Sequence, residues 1–245
     1  GGQKAKKMSA EEIQSGTDYL TRERLMERTL DDLGALGVVG EKINRLILYI
    51  VLTGRKREKP QHVVCLAKSG MGKTRLLSQI VGCLPPEDVL DVTGFSEMSL
   101  YYYGNGGLKH KAIFVQDFDG ASEVEFALRE LQTNQKVSRM VAQKDAKGNI
   151  QTKLVEAEGP VCVVGATTQE RVYEDNANRC LLLYLDGSAE QDARITRFAQ
   201  SVSDGTVDSA EQEAVRERFR DMQRLLRPVR VVNPYARFID LPKEV

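Results

Sequence analysis

The sequence predicts an α/β fold: a parallel five-stranded sheet flanked by helices, with an inserted β-hairpin and a small helical extension ahead of it. Three observations carry this. Short apolar runs recur at residues 62–67, 88–93, 111–116, 161–165 and 180–185, with helical stretches between most of them. A glycine-rich turn joins the first run to the helix after it. One pair of extended segments, 137–143 and 150–156, breaks the alternation around a Gly148-Asn149 turn. Strands that alternate with helices form parallel sheets covered on both faces.

Taken in order, residues 1–16 are polar and read as a frayed tail, and Gly1-Gly2 resembles the scar of a cleaved tag. Residues 17–58 read as the helical extension. Leu20, Leu25 and Leu30 among charges mark an amphipathic helix over 17–32; Gly34 and Gly37 interrupt; 40–53 is a second, more buried helix. The core spans 59–203. Its first strand and turn lead into a helix from Lys73 to about Gly82, which Pro85-Pro86 closes off. Val124, Phe126, Ala127 and Leu131 mark a helix over 121–132. A further helix follows Ser188, and a charged one covers 210–226; residues 204–245 are expected to be a lid or linker with an irregular tail.

Bulk numbers narrow the class. Lysine plus arginine equals aspartate plus glutamate at 35 each, so the formal charge is zero. That argues against a protein that coats nucleic acid with its whole surface, but not against contact through a small hairpin or pore. No apolar run reaches the ~18 residues of a membrane helix, and no signal peptide is visible. The expectation is a cytoplasmic protein with no membrane partner. Cys65, Cys83, Cys162 and Cys180 lack metal-ligand spacing and read as buried reduced thiols.

The chemistry concentrates in Ala67-Lys68-Ser69-Gly70-Met71-Gly72-Lys73-Thr74. This is the P-loop pattern with alanine in place of its first glycine. Gly70 and Gly72 let backbone N–H groups turn toward phosphates, where a β-carbon would crowd the ligand. Lys73 is suited to the β- and γ-phosphates and the Thr74 hydroxyl to magnesium. Lys68, Ser69, Gly70, Met71, Gly72, Lys73, Thr74 and the adjoining Arg75 form the candidate cradle for ATP and Mg2+, at the positive end of a helix.

The complementary acid lies after the third strand, in Gln116-Asp117-Phe118-Asp119. Asp117 is the candidate for the metal shell or the catalytic base; Asp119 is a weaker one, equally suited to cap a helix. Gln116 hydrogen-bonds water but cannot act as a base. Two readings of it stand: a natural glutamine, or a Glu→Gln change that traps bound ATP. The fourth strand ends in Thr167-Thr168, either of which could orient an attacking water, or cap the helix that follows. Arg179 precedes the last strand and is a candidate for stabilising transition-state charge, its alternative being a surface ion pair. Arg194 and Arg197 on the next helix are alternatives for a γ-phosphate contact.

This order of parts (P-loop, acidic strand, hairpin, threonine-tipped strand, late arginine) resembles an AAA+ ATPase, a P-loop NTPase class. The hairpin placed before the threonine-tipped strand is similar to the branch of minichromosome-maintenance helicases, superfamily-three viral helicases and Holliday-junction motors. Gly165-Ala166-Thr167-Thr168 resembles the sensor of the last of these. Gln116-Asp117-Phe118-Asp119 resembles the Asp-Glu-Phe-Asp run of the first and the Glu-Asp pair of the second. The chain also resembles helicase-type ATPases that accompany primase-like zinc domains. The resemblance spans about residues 60–200 and departs from the pattern at Ala67, at Gln116 and in the lid. It implies a hexameric DNA-translocating motor of replication, one piece of a longer protein, with a primase-like domain or partner. Arg179 would then reach into a neighbouring subunit, and Lys144 and Lys147 at the hairpin tip would contact single-stranded DNA in a central pore. A nucleotide-switched DNA clamp or loader stays open. So does a protein-remodelling ATPase, since Tyr101-Tyr102-Tyr103-Gly104 occupies the interval of an aromatic pore loop.

Overall fold

Strand β1 (His62–Leu66) is buried along its whole length, as a strand covered on both faces must be. It pairs in parallel with β6 (Val161–Thr167) on one side and β7 (Cys180–Tyr184) on the other. Strand β3 (Lys111–Val115) extends the sheet beyond β6, and β2 (Val89–Val92) forms the far edge. The order is β2-β3-β6-β1-β7, with all five strands parallel. The computed structural model describes residues 5–66, 72–92, 96, 98–103, 106–118, 125–144, 149–168, 178–230 and 232–240, excepting the side chain of Lys144.

Helices α1 (Ala10–Thr21), α2 (Leu25–Ala35) and α3 (Lys42–Thr53) precede the sheet, α4 (Lys73–Val81) follows β1, and α5 (Glu125–Asn134) leads into the hairpin. Helices α6 (Ala189–Ser203) and α7 (Ser209–Leu225) follow β7. One core joins α3, α4 and α7 to the sheet through residues such as Leu52, Leu77, Ile80, Phe114 and Phe219. A second core covers the other face, where Ile113, Val115 and Val163 meet Leu128 and Leu131 of α5. Among the described residues no helix is long and apolar enough to cross a membrane. The four cysteines are free; burial holds the thiols of Cys65, Cys83 and Cys162 up at about 12, so they are inert.

The extension departs from expectation at both ends. Residues 10–16 are helical, not frayed, because Ser9 and Glu12 form a reciprocal capping box. The single helix expected over 17–32 is two, broken where Arg24 takes a positive φ of 55°. Helix α7 forms a wall of the first core through Val215, Phe219 and Met222. Phe219 packs edge-on against Tyr49, with ring centroids 5.1 Å apart. Buried Gln223 accepts from Arg55 at 2.6 Å and donates to the Thr53 hydroxyl at 2.7 Å. Arg55, itself wholly buried, pairs with Asp88 at 2.5 Å. A helix this charged shows its core stripe only at Val215, Phe219 and Met222, too narrow a signal to separate from a solvated helix.

The hairpin is a two-stranded sheet, β4 (Lys136–Lys144) against β5 (Ile150–Glu158), one or two residues longer at its ends than the pattern predicts. Its root is anchored: Val137 and Ala157 are buried in the second core.

Candidate functional site

Parallel pairing brings the C-terminal ends of the strands to one edge. The register sets Leu66 beside Thr167 and Tyr184, and Val115 beside Gly165. Open α/β sheets bind ligands at this edge. After β1 the described chain resumes at Gly72, which has φ +79° and precedes the first turn of α4. That conformation favours glycine. Among the described residues, a β-carbon there would meet no atom within 4 Å. Lys73, only 8% exposed, and the exposed Thr74 begin α4, whose first N–H groups have no intrahelical partner. An ammonium, a hydroxyl and helix N–H groups suit a phosphate with its cation. Lys68, Ser69, Gly70 and Met71 lie outside the described residues, as does Ala67.

Arg75 is engaged by neighbouring elements. Its Nε donates to the Gly37 carbonyl at 3.3 Å, and its guanidinium lies over the Phe198 ring at 5.3 Å. It thereby ties the start of α4 to the α2–α3 turn and to α6.

The acidic segment is pinned where it leaves β3. The Gln116 N–H donates to Val92 O at 3.3 Å and the Phe118 N–H to Ala166 O at 2.9 Å. Asp117, between them, is exposed at the same edge as Lys73. Gln116 donates through Nε2 to Asp91 Oδ1 at 3.1 Å. A carboxylate only accepts, so this contact orients the amide, and the side chain leans toward β2 rather than toward the β1 side. Asp119 lies outside the described residues. Thr167 is the buried last residue of β6, beside Leu66, and Thr168 follows exposed. Gly165 has a packing reason to be glycine: a β-carbon would collide with the Phe118 ring and the Val115 carbonyl.

Among the described residues no cluster of three His, Cys, Asp or Glu could hold a metal. A magnesium ion here would rest on Thr74, Asp117 and the phosphates of its nucleotide, the usual arrangement for that cation.

Arg179 stands elsewhere. It precedes β7, whose Cys180 pairs with His62 at the opposite end of β1 from the glycine-rich turn. Five strand residues at roughly 3.3 Å each separate the two edges by about 17 Å. Its Nε donates to Thr133 Oγ1 of α5 at 2.9 Å. Arg194 is engaged near the site edge, with Gln191 at 2.9 Å and Asp186 at 3.1 Å. Lys147 and the Lys144 side chain lie outside the described residues, although the backbone of Lys144 ends β4 opposite Ile150.

Sequence reasoning missed the α2–α3 turn, Leu36 to Glu41. Gly37 and Gly40 both have positive φ, and β-carbons there would strike Phe198 and Gln191 of α6. Buried Gln191 donates to the Val39 carbonyl at 2.8 Å, and buried Arg45 donates to the Val38 carbonyl at 2.9 Å. With Arg75, this turn forms a wall between α4 and α6. The signal was present in Gly37-Val38-Val39-Gly40, but it reads equally as a helix break. Tyr101, one of three consecutive tyrosines, is 4% exposed and belongs to the second core, whereas Tyr102 is 75% exposed.

No curated protein sequence matches the chain. Among solved structures it is similar to a full-length MCM homolog from Methanopyrus kandleri, at 12% identity and a TM-score of 0.47. That match covers 90% of this chain and 59% of the other, so the chain spans less than two thirds of that protein. The family model of the MTBMA_p00010 P-loop domain matches residues 10–227, from α1 through α7, and the chain belongs to that family.

Proposed function

We propose that this chain is the ATP-dependent, magnesium-dependent motor module of a DNA-translocating replication helicase, cytoplasmic and working as a ring of identical subunits, six by the resemblance of its parts. The observation that carries the reading is the separation of Arg179 from the phosphate turn of its own sheet. An arginine about 17 Å away across the strands is suited to a neighbour's nucleotide, which makes the site complete only between two copies.

In this reading Lys73 neutralises the β- and γ-phosphates and Thr74 with Asp117 holds the cation shell. Thr167 or Thr168 orients the attacking water, and Arg179 of the next copy stabilises charge in the transition state. Magnesium, when bound, would be held by Thr74 and Asp117 and would supply positive charge beside the phosphates. The hairpin, anchored by Val137 and Ala157 beside α5, would carry Lys144 and Lys147 to DNA in the pore. A primase-like domain or partner would lie outside this chain.

A nucleotide-switched clamp or loader is the second reading. The neutral Gln116, whose amide Asp91 holds, favours it, because Asp117 then acts without a second acid directly beside it. The test is ATP hydrolysis with and without single-stranded DNA. Hydrolysis that DNA stimulates, and that Lys144→Ala/Lys147→Ala leaves unstimulated, supports the motor. DNA retention that follows ATP binding with no stimulated turnover supports the clamp.

A further inference from the structure

Helix α3 is apolar on both of its sides. Its inner face, with Leu48, Tyr49 and Leu52, is buried in the first core. Its outer face repeats the pattern at i, i+3, i+4 and i+7, with Ile43, Leu46, Ile47 and Ile50. Ile43 is 66% and Ile50 48% exposed, and Leu46 and Ile47 are half-buried. Between Lys42 and Gly54 the only charged side chain is Arg45, which is buried. A helix that is apolar all round belongs in an interior rather than against water. The start of α3 adjoins edge strand β7, where Asn44 donates to the Tyr184 carbonyl at 2.9 Å. Leu181 of that strand is 42% exposed, on the face that Leu183 turns into the first core. Apolar side chains exposed singly need no explanation, but a stripe along a whole helix marks a contact surface.

The same chain carries a second apolar surface, narrow where the first is broad. After α7, Val229, Val232, Tyr235, Phe238 and Ile239 all stand in water, Tyr235 at 70% and Phe238 at 68% exposure. This end of the tail is shaped. Asn233 Oδ1 accepts from the Tyr235 N–H at 2.9 Å, and the Phe238 N–H donates to the Tyr235 carbonyl at 2.9 Å. The resulting short helical turn, Ala236–Phe238, sets Tyr235, Phe238 and Ile239 at i, i+3 and i+4, toward one side. The root of the tail is fixed, because Lys56, just beyond α3, donates to the Leu226 carbonyl at 2.7 Å. Both surfaces are exposed in the same molecule, so neither covers the other within one chain.

We propose that residues 229–239 of one copy dock on the outer face of α3, flanked by Leu181, of a second copy. This supplies a joint for the ring of the motor reading and rests on that reading. A turn with anchors at i, i+3 and i+4 is the form in which a short helical segment enters an apolar groove. Each of the two aromatics brings roughly 150–250 Å². With the three aliphatic anchors and the α3 stripe opposite, the joint covers on the order of 1,000 Å², the size at which a specific interface holds. A formal charge of zero leaves no net repulsion between copies. Tail and face are different patches of one surface, so the contact runs head to tail, the geometry that builds rings.

The experiment is sedimentation velocity of the full chain with ATP and magnesium. The parent forms assemblies larger than a dimer. The tail variant Tyr235→Ser/Phe238→Ser and the face variant Ile43→Gln/Ile50→Gln each weaken self-association at least about tenfold, as loss of central anchors does. The tail variant removes no buried group, so its loss of assembly is not a folding defect. An equal mixture of the two variants gives dimers and nothing larger, because the intact tail of one meets the intact face of the other once only. Met140→Gln, on the exposed apolar side of the hairpin, assembles as the parent does. If the tail and face variants assemble as the parent does, or their mixture forms no dimers, the joint is overturned and the motor reading stands. If Met140→Gln alone dissolves the assembly, the hairpin is the joint and the proposal falls. If the parent stays monomeric with ATP at every concentration, joint and motor reading fall together.

Discussion

Gln116 Nε2 donates to Asp91 Oδ1 at 3.1 Å, joining the ends of two neighbouring strands at the edge that also carries Lys73 and Thr167. A glutamate at position 116 would set two carboxylates against each other there. Gln116→Glu is expected to lose about 0.5–1 kcal/mol at neutral pH by cross-strand repulsion, and to recover it when acid protonates one member of the pair. Gln116→Glu with Asp91→Asn restores a donor and removes the loss. Urea denaturation at neutral and acidic pH checks this. Equal stability of Gln116→Glu and the parent at neutral pH would mean that the contact does not persist in solution. ATP hydrolysis by the same variants decides between a natural glutamine and a substituted glutamate: turnover gained by Gln116→Glu favours the latter.

Arg179 and Lys73 occupy opposite edges of one sheet. If Arg179 serves a neighbour, Arg179→Ala and Lys73→Ala should each abolish hydrolysis alone, and their mixture should regain part of it, because some interfaces then pair an intact Lys73 with an intact Arg179. A mixture as dead as its components places Arg179 outside the reaction.

Gly165→Ala drives a methyl into the Phe118 ring and the Val115 carbonyl. The expected cost is about 1–3 kcal/mol, measured by thermal or urea unfolding. Phe118 adjoins Asp117, so hydrolysis should fall further than ATP affinity does. A variant of parental stability and turnover would show that the ring moves aside freely.

His62 is buried at the N-terminal end of β1 and accepts at Nδ1 from the Val163 N–H at 3.1 Å. Burial lowers its pKa from 6.5 to about 4, against a smaller opposing hydrogen bond at Gln132. Between these values the unfolded chain takes up a proton that the folded chain refuses. Stability from this group is therefore complete above about pH 6.5 and falls as pH drops toward about 4, by up to about 3 kcal/mol. His62→Gln keeps an acceptor for Val163 and should flatten that part of the pH dependence relative to the parent. An unchanged slope between the two would assign it to carboxylates instead.

The five strands, their alternation with helices and the inserted hairpin were legible because buried strands need continuous apolar runs and because a P-loop must follow a strand and open a helix. The positions of Gly72, Lys73, Thr74, Asp117 and Thr167 along the chain came from the sequence for the same reason: each belongs to a local strand-end pattern. Spacing along one chain cannot show which strand ends become neighbours. Pairing of β6 between β1 and β3 set Thr167 beside Leu66, where β1 leads into the glycine-rich turn, and parallel pairing of β7 put Arg179 at the far edge. The α2–α3 turn, the Gln116–Asp91 contact and the burial of α7 through Phe219 and Gln223 join residues from 25 to about 170 positions apart. Local propensity carries no record of such contacts; packing of the two cores against the sheet creates them.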